Sequence, residues 1–123
     1  MPLVMNDQSS MSVLRNFVAE DFVIRLFVNN VNPKPTDAAD SFVECSRGGY
    51  APITLTGGQW QERGNVVSYP AQKFTFTGPV GPVYGYFCTR ADGTITHAER
   101  FMDGPYRVEN DGDSIAITPT LSI

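Results

Sequence analysis

Charge is scarce in this 123-residue chain: Asp, Glu, Lys and Arg together make up 18%, against roughly 25% in an average soluble domain. Bases are scarcer than acids, 9 Lys and Arg against 13 Asp and Glu, for a formal net charge of -4. That balance lacks the clustered basic residues a nucleic-acid binder needs. There is 1 His and there are 2 Cys, Cys45 and Cys88, too few for a disulfide framework. Free thiols in a protein folded in a cytoplasm are therefore expected. Long apolar runs are also missing, so no membrane span is expected. "MPLVMNDQSSMSVLRNF" has no basic stretch followed by an apolar core, so no secretion signal is read there.

What the chain has instead is Gly, Pro, Thr, Val and aromatics in short alternating runs. Its length suits one domain able to bury a core without staples. Residues 1–12 are small and polar and read as an arm; residues 13–123 read as the single domain. Val13, Leu14, Phe17 and Val18 have a helical spacing, which predicts a short helix near 12–19 capped by Ser12. From Phe22 the period becomes two. "FVIRLFV" (22–28), "SFVECS" (41–46), "YAPITLT" (50–56), "QWQER" (59–63), "NVVSY" (65–69) and "QKFTFT" (72–77) read as strands. They are followed by the pair within "VYGYFCTRADGTITHAERF" (83–101) and by "SIAITPTLSI" from 114. "GPVGP" reads as a break. About eight short antiparallel strands with one N-terminal helix and a polar arm predict an all-β fold, a β-sandwich or jelly roll.

The pair of strands at 83–101 holds His97, Cys88 and Glu99. A two-residue turn at Asp92-Gly93 would set Cys88 opposite His97 with Glu99 on the same face. That resembles the needs of a nucleophilic thiol, a base with something to orient it, although Glu99 orients the ring poorly. A three-residue loop with a left-handed Gly93 would instead set Arg90 opposite Thr94 and turn His97 away from Cys88. This second register gathers Val83, Phe87, Ile95 and Phe101 on one face. Burying each is worth about 1.5–3 kcal/mol, so the second register is favoured, with both left open. Its opposite face carries Tyr84, Tyr86, Arg90 and Arg100 as a candidate protein-contact surface, since Tyr and Arg dominate interface energetics. The expectation is a protein without catalytic activity.

Other motifs give less. "ENDGDS" (109–114) has carboxylates but lacks the spacing of an EF-hand loop, and Asn110-Asp111-Gly112 is a strong turn signal. "TGPVGP" cannot cradle phosphate, because its prolines remove N–H donors. Tyr50, Trp60, Tyr69, Tyr84, Tyr86 and Tyr106 suit either a sugar- or protein-binding surface or a small β core. No metal and no cofactor is expected.

The blocks "IRLFVNNVNP" (24–33), "GYAPITLTG" (49–57), "VYGYF" (83–87), "AERFMDGPY" (98–106) and "DSIAITPTL" (113–121), in this order, resemble a group of small proteins from tailed bacteriophages. None is a catalytic motif, and the resemblance carries over no functional residues. It implies a virion component, best read as a cement or decoration protein on the capsid surface, made in the host cytoplasm and bound to the major capsid protein. The alternative it leaves is a tail or fibre component that binds host-surface carbohydrate or protein. Closed symmetry on a capsid favours a homo-oligomer, with a trimer preferred. Pro2, Leu3, Val4 and Met5 would belong to a bridging arm that orders on binding.

Overall fold

Alternation of buried and less buried side chains marks β-structure in runs such as 22–25 and 114–117. The computed structural model describes residues 7–122. Helix α1 (Asp7–Phe17) leads into β1 (Phe22–Phe27), β2 (Ile53–Leu55), β3 (Gln61–Arg63), β4 (Val66–Ser68) and β5 (Gln72–Thr75). After them come β6 (Gly81–Val83), β7 (Gly85–Thr89), β8 (Ile95–Arg100), β9 (Tyr106–Val108), β10 (Ser114–Ile117) and β11 (Thr120–Ser122). All pairings are antiparallel. The strands form a four-stranded sheet, β2-β1-β7-β8, and three smaller ones, β10-β5, β11-β4-β3 and β6-β9. The fold is all-β and sandwich-like.

The main core lies between the four-stranded sheet and the smaller sheets. Phe22, Ile24 and Leu26 of β1, Leu55 of β2 and Cys88 of β7 meet Phe74, Val83, Val108, Ile115 and Ile117 from the other side. The outer face of the large sheet is covered as well. Phe27 and Phe87 pack there against Phe42, with Val31, Tyr84 and Ile95 around them. Covering both faces leaves all five residues of β7 buried.

The helix begins at Asp7, before the expected start, so residues 7–12 are helix rather than arm. The periodic stripe is Met11, Leu14 and Val18, packed on Val67 of β4. Val13 is 58% exposed and stands outside it. Ser12 sits inside the helix rather than capping it. The arm residues Pro2, Leu3, Val4 and Met5 lie outside the described residues.

Residues 41–46 form no strand. A 3-10 turn at Ala39–Ser41 and one bridge from Glu44 to Phe27 take its place. The Val28 N–H still donates to the Val43 carbonyl (2.8 Å) and the Cys45 N–H to the Leu26 carbonyl (2.9 Å). Beyond them the Asn29 side chain replaces the ladder, donating to the Ser41 carbonyl (3.1 Å) and accepting from the Val43 N–H (2.9 Å). "GPVGP" contains a strand after all: Pro82 sits in β6, on a two-stranded ribbon that leaves its missing N–H harmless. The last strand is two strands. Pro119 divides it, so β10 pairs with β5 while β11 pairs with β4. β9, only three residues long and directly after Pro105, gives no period to read.

One polar network ties the covering loop to the sheet. Arg25 donates through Nη1 to both Glu44 oxygens (3.1 and 3.2 Å) and through Nε to Thr89 Oγ1 (3.1 Å). Tyr50 donates to Glu44 Oε2 at 2.6 Å and accepts from the Leu26 N–H at 3.2 Å. Burial and then the Glu44 carboxylate hold the Tyr50 phenol well above its usual range. Glu44→Ala strips Arg25 and Tyr50 of their shared acceptor, and urea unfolding should show a loss of about 2 kcal/mol. An unchanged midpoint would mean that water replaces the carboxylate at no cost.

Candidate functional site

The 90–97 hairpin combines both expected registers. Next to the turn it is a three-residue loop. The Arg90 N–H donates to the Thr94 carbonyl (2.9 Å) and Gly93 has φ 91°, a left-handed value that glycine adopts freely. Asp92 Oδ1 accepts from the Thr94 N–H at 2.9 Å, which pulls the Asp92 carboxyl below its usual range. Thr89 then lies opposite Ile95. One residue further the ladder slips by a bulge, and Cys88 lies opposite His97.

The favoured register therefore holds only at the turn. Thr96 is the inserted residue, and beyond it His97 and Glu99 share a face with Cys88 and Tyr86. The four apolar residues do not share a face either: Val83 and Phe101 belong to the main core, Phe87 and Ile95 to the outer cluster. Segregation fails as a guide because it assumes a hairpin with one wet face, and here both faces are covered.

Bringing Cys88 and His97 together does not make a nucleophile. Burial pushes the Cys88 thiol up to about 12 and pulls the His97 imidazole down to about 4. A reactive thiolate–imidazolium pair needs the opposite shifts. Thr96 Oγ1 donates to the Cys88 carbonyl (3.1 Å) and lies 2.9 Å from His97 Nδ1. With its proton on the Cys88 carbonyl, the hydroxyl has lone pairs placed to accept from Nδ1–H. The ring packs 6.3 Å from Phe17 and 6.0 Å from Phe22. Glu99 takes no part in orienting it, and instead accepts from the Tyr86 hydroxyl at 3.2 Å. Both cysteines are free and buried.

The candidate contact face divides in three. Tyr86 is 5% exposed and packs in the main core, on the other side of the sheet from Tyr84. Arg90 lies over the Phe17 and Phe22 rings (5.6 and 6.0 Å) and pairs with Glu20. Only Tyr84 and Arg100 come together, the guanidinium 5.2 Å from the ring centre. Arg100 also donates to Asn30 Oδ1 (2.7 Å) and the Val31 carbonyl (3.1 Å), clamping the covering loop. The reason is again the bulge and the two-sided burial of β7.

"ENDGDS" is a turn. Asp113 Oδ2 accepts from the Glu109 and Asn110 N–H groups, each at 3.0 Å, and these bonds lower the Asp113 carboxyl. Among the described residues no group of three or more His, Cys, Asp and Glu is placed to hold a metal ion. Among the same residues no helix is long and apolar enough to cross a membrane.

Two surface clefts border β8. One, of about 430 Å³, separates it from the loop carrying Pro33, Pro35 and Asp37. The other, of about 290 Å³, lies on the opposite face and is lined by Tyr86, Glu99, Phe101, Tyr106, Thr118 and Thr120. The sequence does not announce the second cleft. Tyr106 lies on a strand that no periodicity marks, although Tyr86, Glu99 and Thr120 stand in runs that read as strands. The chain matches no protein-family model, and neither the curated proteins nor the solved structures contain one significantly similar to it.

Proposed function

We propose that this chain is a non-enzymatic structural component of a tailed-bacteriophage virion, a cement or decoration protein that binds the major capsid protein and stabilises the assembled capsid. The observation that carries the reading is the resemblance of five blocks spread over almost the whole chain. In the fold these blocks supply much of the frame: Arg25 is joined to Tyr50 through Glu44, Tyr84 stacks on Arg100, and Tyr86 bonds Glu99, while three of the blocks also line the 290 Å³ cleft. A frame held by such pairs suits a part whose task is to keep shape. Low charge fits a surface covered by a partner, and β8, at the margin of its sheet, offers an edge at which another chain can pair. A homo-oligomer, with a trimer preferred, would match the three-fold positions of a capsid.

A reconstruction of the assembled particle tests this. The expected result is density for the protein repeated over the capsid lattice, and particles lacking it should lose resistance to heat and dilution. Density confined to the tail would replace the reading with that of a tail component binding the host surface. Its absence from the particle would end both.

A further inference from the structure

One side of the sandwich stays open, between β8 of the large sheet and β10–β11 opposite, and the 290 Å³ cleft lies there. Its aromatic wall is continuous: Tyr86 to Phe101 is 6.4 Å between ring centres, and Phe101 to Tyr106 is 4.6 Å. Thr118 and Thr120 line it from the other sheet. Glu99 is the one charged residue in the lining. Its side chain is exposed and accepts from the Tyr86 hydroxyl.

Among the described residues no base forms an ion pair with that carboxylate. The ion pairs join Arg15 to Glu62, Arg25 to Glu44 and Arg90 to Glu20. Arg100, next to Glu99 in sequence, is on the outer face with Tyr84. Arg107, beside Tyr106, lines an adjoining groove with Pro105 and Ser114 that shares Tyr106 and Ala116 with the cleft, and it makes no ion pair with Glu99. The charge that meets Tyr106 is another acid, Asp103, which accepts from its hydroxyl. That bond and the Phe101–Tyr106 stack brace the turn, whose apex Met102 is 99% exposed.

We propose that this cleft receives a cationic side chain, the guanidinium or ammonium group of an Arg or Lys presented by a protein partner. An aromatic face attracts a cation through its quadrupole, and a carboxylate at the end of the wall adds a charge-assisted hydrogen bond. The apolar stem of Lys or Arg would lie along Phe101 and Ile117, with Met102 as an apolar contact at the rim. A neutral sugar could use the rings and hydroxyls too, but it would leave the charge of Glu99 without an ion-pair partner. On a capsid, the cation would belong to the capsomer. The inference stands on the cleft itself, so a particle lacking the protein would end the capsid reading and leave this one in place.

The test is a nuclear magnetic resonance titration of the isolated, isotope-labelled protein with N-acetyl-arginine amide, N-acetyl-lysine amide and methyl glucoside. Saturable shifts confined to residues around Glu99, Tyr106 and Thr120 are expected with the two cations. Glu99→Gln keeps an acceptor for Tyr86 while removing the charge, and should weaken binding at least about tenfold. If that variant does not fold, Tyr106→Leu serves, and is expected to weaken binding several-fold by removing a ring without changing charge. Absence of saturable shifts, undiminished binding by the variant, or preference for the glucoside would overturn the proposal, the last in favour of a sugar site.

Discussion

Acidification from pH 6.5 to about 4 is expected to remove about 3 kcal/mol of folding stability through His97. In the unfolded chain this side chain titrates near its ordinary value of 6.5; in the folded protein burial holds it down to about 4. Between those values the unfolded state binds a proton that the folded state refuses, so stability falls as pH falls and levels off below about 4. The groups around the ring explain the refusal. Phe17 and Phe22 pack beside it, neutral Cys88 lies opposite, and Thr96 holds Nδ1. Arg90, over the same two rings, is paired with Glu20, so neither stands as a lone charge beside them. Glu99, on the same face, is turned to Tyr86. The carboxylates with lowered values, Glu62, Asp92 and Asp113, lose their contributions only at lower pH. Urea unfolding at pH 7 and 5 therefore isolates the histidine, with about 2 kcal/mol of the loss expected in that interval. His97→Gln retains an amide for Thr96 and does not titrate, so its stability should be flat there. A wild-type protein equally stable at both values would mean that water reaches the ring and the burial does not count.

The legible parts of the fold are those where burial has a local period. β1 alternates because one of its faces meets the main core, and "FVIRLF" reads as a strand for that reason. The class of fold follows from many such runs between glycines and prolines. What stays hidden depends on contacts distant in sequence. The Asn29 side chain binds the Ser41 carbonyl and the Val43 N–H where the bridge to β1 ends, and nothing within 41–46 announces it. The helix start is misplaced when Val13 counts as apolar face, because Met11, which packs near Val67, then falls to the arm. The hairpin is the instructive case. A strand covered on both faces gives no reward for sorting apolar from polar residues, so apolar segregation has no hold on its register. Thr96 then reconciles the two registers with a bulge that the pattern does not encode. The open cleft is out of reach for a similar reason, since Glu99 and Thr120 meet only through the packing of two sheets.

Gly85→Ala is expected to cost at least about 3 kcal/mol, because the added methyl group has no space to enter. A Cβ at this position would lie 2.2 Å from the Glu99 carbonyl oxygen and 2.6–2.7 Å from two carbons of the Phe27 ring. Neither neighbour has room to retreat. Phe27 is fully buried and packs at 5.0 Å on Phe42, which in turn stacks at 5.1 Å on Phe87. The Glu99 backbone is held by the ladder, opposite Tyr86, with Arg100 opposite Gly85 itself. Relief requires β8 to move away from β7, which would also pull Glu99 from Tyr86 and open the floor of the cleft. Gly93→Ala provides the control. There φ is 91° and nothing lies within 4 Å of the added carbon, so only the left-handed backbone is penalised, at about 1–2 kcal/mol. Urea unfolding of both variants separates the two costs. If Gly85→Ala lost no more stability than Gly93→Ala, β8 would be free to shift at this point, and the close approach of the two strands would not be what holds the cleft together.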